Sequence, residues 1–148
     1  MRLYHFTSTY HLPLILAAGE LAPTESNIGS PSRKHKPHGA RVGPDVVWFT
    51  KSRVVPPGSH GLAGSIVDKA EVRITVEVDD AVLWSEFSSK HKIDPSWYAV
   101  LDARGLGTAS SWWVVARAVP SSQWLEVRNL RTKAVSRPPF RAGKAGLR

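Results

Sequence analysis

Glu71-Val72-Arg73-Ile74-Thr75-Val76-Glu77-Val78 alternates polar and apolar side chains without a break. Successive side chains of a strand point to opposite faces, so this stretch reads as a half-buried strand. Val72, Ile74, Val76 and Val78 are predicted to face in, and Arg73, Thr75 and Glu77 to face out. Val46-Val47-Trp48-Phe49-Thr50 is nearly all apolar and suits a buried strand. Leu3-Tyr4-His5-Phe6 reads as a short opening strand. Residues 112–119 read as another, broken by Pro120, and residues 124–128 as the last.

Helical spacing enters where Leu12, Ile15 and Leu16 recur. Pro13 fits only the first turn, so this helix is predicted to start near Thr9 or Tyr10, capped by Thr7 or Ser8 and stopped at Gly19. Asp79 or Asp80 is predicted to cap a second short helix through Leu83, Trp84 and Phe87. Asp94-Pro95 is predicted to open a third, ended by Gly105. Residues 22–45 and 55–68 are rich in Pro and Gly, lack an apolar period and read as loops. Beyond Leu130 nothing in the sequence looks foldable. The expectation is one α+β domain over residues 1–130, with a small β-sheet core that is mixed or antiparallel and split in two. Residues 131–148 are expected to form a flexible basic tail.

Composition supports a folded domain. The chain has 148 residues, 42% of them hydrophobic, with six Trp, enough for a core. It has no cysteine, which excludes disulfides, thiolate metal sites and thiol nucleophiles. No apolar run is long enough to span a membrane, and the N-terminus turns polar at once. The expectation is a cytoplasmic protein without a membrane partner. The formal net charge is +8, and it is concentrated. Arg33, Lys34, Lys36 and Arg41 lie in one acid-free segment, and Arg131, Lys133, Arg137, Arg141, Lys144 and Arg148 in another. The rest of the chain is slightly acidic. Such segments serve either as solvated arms or as a grip on nucleic acid or an acidic protein surface.

Few residues carry chemistry on their own. In strand geometry His5 faces away from Tyr4 and Phe6, and Thr7 and Ser8 follow where a ligand can meet hydroxyl and backbone donors. Trp48 and Phe49 offer aromatic surface, with Thr50 at the strand end. Glu126 stands between Leu125 and Val127, which point the other way. His35 and His38 are spaced for a metal but lie in a basic loop that repels cations, so no metal site is expected. No glycine-rich nucleotide loop and no nucleophile elbow is present.

Leu3-Tyr4-His5-Phe6-Thr7-Ser8, followed by Leu12, Ile15-Leu16, Gly19 and Leu21, resembles the first motif of the ADP-ribosyltransferase superfamily. The likeness is to the branch of the DarT-like DNA-modifying toxins and, more remotely, the RNA 2′-phosphotransferases. Val46-Val47-Trp48-Phe49-Thr50 resembles the second motif, and residues 112–119 with the strand after Pro120 resemble the C-terminal part. The resemblance runs over residues 2–130, with the first motif the most specific. It implies a split pair of small sheets with a cleft for NAD between them. Tyr4, His5 and Thr7 would bind the cofactor, His5 through the nicotinamide-side ribose. Trp48 or Phe49 would pack on the nicotinamide, with Thr50 at the rim. Active members carry a Glu on the strand where this chain has Trp112-Trp113-Val114-Val115-Ala116-Arg117, and no acid lies there. Glu126 on the next strand is the substitute the resemblance allows, giving His5 and Glu126 as the catalytic pair.

Two readings follow. One is an NAD-dependent ADP-ribosyltransferase-like effector or toxin, bacterial or phage, acting on nucleic acid or protein. The other is a catalytically inactive module that holds nucleic acid or an acidic partner through Arg33, Lys34, Lys36, Arg41, Arg131, Lys133 and Arg137.

Overall fold

The computed structural model describes residues 1–25, 45–54, 70–91 and 112–140. The third helix predicted over 94–105, the basic segment with Arg33, Lys34, Lys36 and Arg41, the loop 55–68 and residues 141–148 lie outside the described residues.

In chain order the elements are β1 (Arg2–Thr7), α1 (Leu12–Ala18), β2 (Glu20–Leu21), β3 (Thr24–Glu25), β4 (Asp45–Thr50), β5 (Val72–Glu77), β6 (Val82–Leu83), α2 (Trp84–Lys90), β7 (Trp112–Val115), β8 (Val119–Pro120), β9 (Trp124–Asn129) and β10 (Val135–Ser136). The strands form an eight-stranded sheet in the order β10-β9-β5-β1-β4-β7-β6, with β3 added to β4, and a separate ribbon of β2 and β8. Every described pairing is antiparallel. No helix among the described residues is long and apolar enough to cross a membrane.

The long alternating segment becomes β5, near the middle of the larger sheet. It pairs with β1 from Arg2↔Glu77 to Thr7↔Val72 and with β9 on its other edge. The join between β1 and β4 is different in kind, because only Tyr4↔Thr50 pairs there. That one rung joins the two halves of the single sheet, β10-β9-β5-β1 and β4-β7-β6.

Each face of the sheet carries a core. On the His5 face, Leu3, Phe49, Ile74, Val127 and Trp124 pack with Leu12 and Leu16 of α1. On the opposite face, Val46 and Val114 pack with Trp84 and Phe87 of α2, with Trp48 and Trp112 against them. Trp112 and Trp113 fall on opposite faces as the strand period requires, Trp113 lying against the first core. α1 takes Pro13 in its first turn and ends at Gly19 in the left-handed region, φ 69°.

Several expectations are corrected. Arg73 and Thr75 are buried, because the face they point to is covered rather than solvated. α1 begins at Leu12, and the Ser8 hydroxyl accepts the His11 N–H at 3.1 Å one turn earlier instead of capping the helix itself. α2 starts at Trp84 without a side-chain cap. Asp80 forks onto Arg117 instead, at 2.6 and 2.7 Å. The single strand expected over 112–119 is two, since β7 stays in the large sheet and β8 crosses to pair with β2. Pro120 ends the second of them, as expected. It sits in the two-stranded ribbon opposite Glu20, where a missing N–H costs least at an edge. The tail expected from residue 131 is folded through residue 140. β10 pairs with β9, and Phe140 packs on Trp124 with ring centroids 5.5 Å apart.

Candidate functional site

His5 is the residue after the one rung between β1 and β4. Its Nδ1–H donates to the Trp48 carbonyl at 2.9 Å. A carbonyl only accepts, so Nδ1 carries a proton. The bond ties β1 to β4 and fixes the ring. Phe49 meets the same imidazole edge to face, with centroids 5.8 Å apart. Phe49 is 0% exposed, so it braces His5 from within the core rather than presenting a ring to solvent. Thr7 and Ser8, both buried, continue β1 beyond His5.

The structure thus brings His5, Thr7 and Phe49 to one face. Tyr4, Trp48, Thr50 and Glu126 point to the other, as the rungs His5↔Ile74↔Val127 and Tyr4↔Thr75↔Glu126 require. Trp48 stacks into the second core against Trp84 at 4.8 Å and is no wall for a ligand beside His5. The Thr50 hydroxyl accepts the Ser52 N–H at the end of β4. The expected catalytic pair is therefore separated, since one sheet lies between His5 and Glu126.

Sequence reasoning passed over a different carboxylate. Glu71 lies one residue before β5, beside the end of β1. It accepts the Thr9 N–H at 3.1 Å and the Thr9 hydroxyl, and Arg131 Nη1 pairs with it at 3.1 Å. The signal that could have found it is the start of the clearest strand, since the antiparallel partner of a strand start is a strand end.

Glu126 stands among arginines. Arg128 forks onto it at 2.8 and 3.3 Å, Arg137 Nη2 reaches it at 3.3 Å, and Arg73 Nη2 lies 3.7 Å away. The Arg128 hydrogen bond, ahead of the charges of Arg128, Arg137 and Arg73, holds the Glu126 carboxyl below the usual carboxylate range despite its partial burial. Arg73 donates to the Arg53 carbonyl at 2.9 Å and lies over the Tyr4 ring, 5.5 Å from its centroid. Burial, then the charge of Arg53, lowers the Arg73 pKa, with Glu126 acting against them. The residues expected to touch a partner are partly drawn into these networks, with Arg131 on Glu71 and Arg137 on Glu126. Lys133 takes a left-handed turn position, φ 66°, between β9 and β10.

A hollow of about 420 Å³ lies elsewhere, between α2 and β7, and is lined by Asp80, Glu86, Phe87, His91 and Arg117 among others. None of the sequence-predicted site residues lines it. No family model matches this chain, nor does any curated protein or solved structure.

Proposed function

We propose that this domain binds NAD at the join between the two halves of its sheet and is ADP-ribosyltransferase-like. One observation carries the reading: β1 and β4 pair at a single rung, and His5, its imidazole held by the Trp48 carbonyl, is the next residue along β1. Where the ladder between two strands stops, backbone groups are left for a ligand to meet, and His5 adds a fixed polar group there. The Thr7 hydroxyl at the same strand end suits a ribose hydroxyl. NAD supplies a ribose whose nicotinamide can leave and be replaced by a nucleophile on nucleic acid or protein. This chain's part is to hold that ribose through His5. The carboxylate at the His5 strand end is Glu71.

The position of Glu126 favours the second reading, a binding module without turnover, because the sheet parts it from His5. Calorimetric titration of wild type and His5→Ala with NAD tests the first reading, alongside an assay of nicotinamide release. Saturable binding that weakens about tenfold or more in His5→Ala supports the NAD site. Release of nicotinamide lost in the variant supports the transferase, and binding without release means NAD recognition without turnover. No binding to wild type at low salt, or equal binding to both proteins, overturns the assignment.

A further inference from the structure

The face of the sheet opposite His5 holds a second constellation that the NAD reading does not use. Arg73 and Arg128 are direct cross-strand partners. Like charges placed opposite each other on a sheet repel, and here they are kept. Arg137 joins them from the position just after β10, and Arg73 itself donates to the Arg53 carbonyl. Three guanidinium groups thus gather around one carboxylate, Glu126. Arg73 is 6% exposed, and its buried Nε has no hydrogen-bond partner. The outer arms are accessible, the Arg137 side chain being 68% exposed and that of Arg128 28%.

We propose that Arg73, Arg128 and Arg137 form a binding site for a phosphate group, with Glu126 holding the guanidinium forks in place. The excess of positive charge exceeds one unit, which suits a phosphate better than a second carboxylate. Planar guanidinium forks match phosphate oxygens in pairs. Arg128 and Arg137 supply the direct contacts at the surface, and Arg73 supplies a fixed charge beneath them. Tyr4 backs Arg73 from below. The site does not rest on the NAD reading, because His5 faces the other side of the sheet.

The shared chemistry is phosphate, and its source is a small phosphate compound or the backbone of a nucleic acid. Inorganic pyrophosphate and a short mixed-sequence single-stranded DNA serve as the two probes. Each is titrated calorimetrically into wild type, Arg128→Ala and Arg137→Ala. Both variants are expected to weaken binding about tenfold. Binding of pyrophosphate with this pattern assigns a small phosphate, and binding of the DNA alone assigns the backbone. Binding of neither probe, or affinities of both arginine variants within about twofold of wild type, overturns the site. Melting temperatures are recorded for every variant. Arg137 is exposed enough that its loss leaves the fold intact, so that variant decides the question even where Arg128→Ala unfolds.

Discussion

Arg73 is held where an arginine is expensive. Its buried Nε without a partner costs about 1–3 kcal/mol, and facing Arg128 costs roughly 0.2–1 kcal/mol more. Glu126 offsets part of this by bringing one negative charge to three guanidinium groups. Its contribution depends on pH with a definite sign. The Glu126 pKa is depressed in the folded protein, chiefly by the Arg128 hydrogen bond. The stabilisation is therefore fully present above the unfolded carboxylate value of about 4.3 and is lost as pH falls through the lower folded value. Glu126→Gln keeps the shape and removes the charge. The melting temperature of wild type should exceed that of the variant at neutral pH, and the gap should close below about pH 4. A gap unchanged between neutral and acid pH would show that the carboxylate charge stabilises nothing. The inward turn of Arg73 was hidden in the sequence. A polar residue alternating with Val and Ile is the ordinary mark of a solvated face, and the partners that Arg73 meets, Tyr4, the Arg53 carbonyl and Glu126, lie far from it along the chain. That His5 faces away from Tyr4 and Phe6 was legible, because it needs only the strand period.

At the scale of elements, local signals carried the long pieces and failed for the short ones. α1 was readable from Leu12, Leu16, Pro13 and Gly19, since spacing, ring geometry and a left-handed stop all act within a few residues. β3, β6, β8 and β10 each span two residues and have no period to detect. Gly19 ties these two kinds together. It closes α1 with its N–H shared between the Ile15 and Leu16 carbonyls, and its own carbonyl accepts the Ser121 N–H at 2.8 Å. That bond joins the helix end to the β2–β8 ribbon. A Cβ added to Gly19 would meet nothing within 4 Å, so a substitution there pays only for φ of +69°. Gly19→Ala should destabilise the domain by about 1 kcal/mol, read as a lower denaturation midpoint with an unchanged slope. Gly19→Asn should lose less, since Asn tolerates this conformation better. Equal midpoints for all three proteins would mean that the helix end relaxes into another turn.

Across the whole molecule, the fold class was legible and the order of the strands was not. Alternation marks strands, but β1 lies between β4 and β5 only because of contacts between distant parts of the chain. The same limit hid the role of residues 131–140. Their composition is basic and polar, yet β10 extends the edge of the sheet at Val135↔Arg128 and Ser136↔Val127. Asn129 organises the turn, its side-chain carbonyl accepting the N–H groups of Arg131 and Thr132 at 2.9 and 3.0 Å. Phe140 then covers Trp124, which is itself 1% exposed. Two chains distinguish a folded edge from a loose tail, one ending at Leu130 and one ending at Phe140. Partial burial of one Phe ring is worth about 1–2 kcal/mol, and the chain ending at Leu130 also gives up the strand pairing and the Arg131–Glu71 and Arg137–Glu126 ion pairs. That chain should melt several degrees lower than the chain ending at Phe140, with its Trp fluorescence shifted to the red as Trp124 loses its cover. Coincident melting curves would return residues 131–140 to the role of a tail, and would detach Arg137 from the phosphate site along with it.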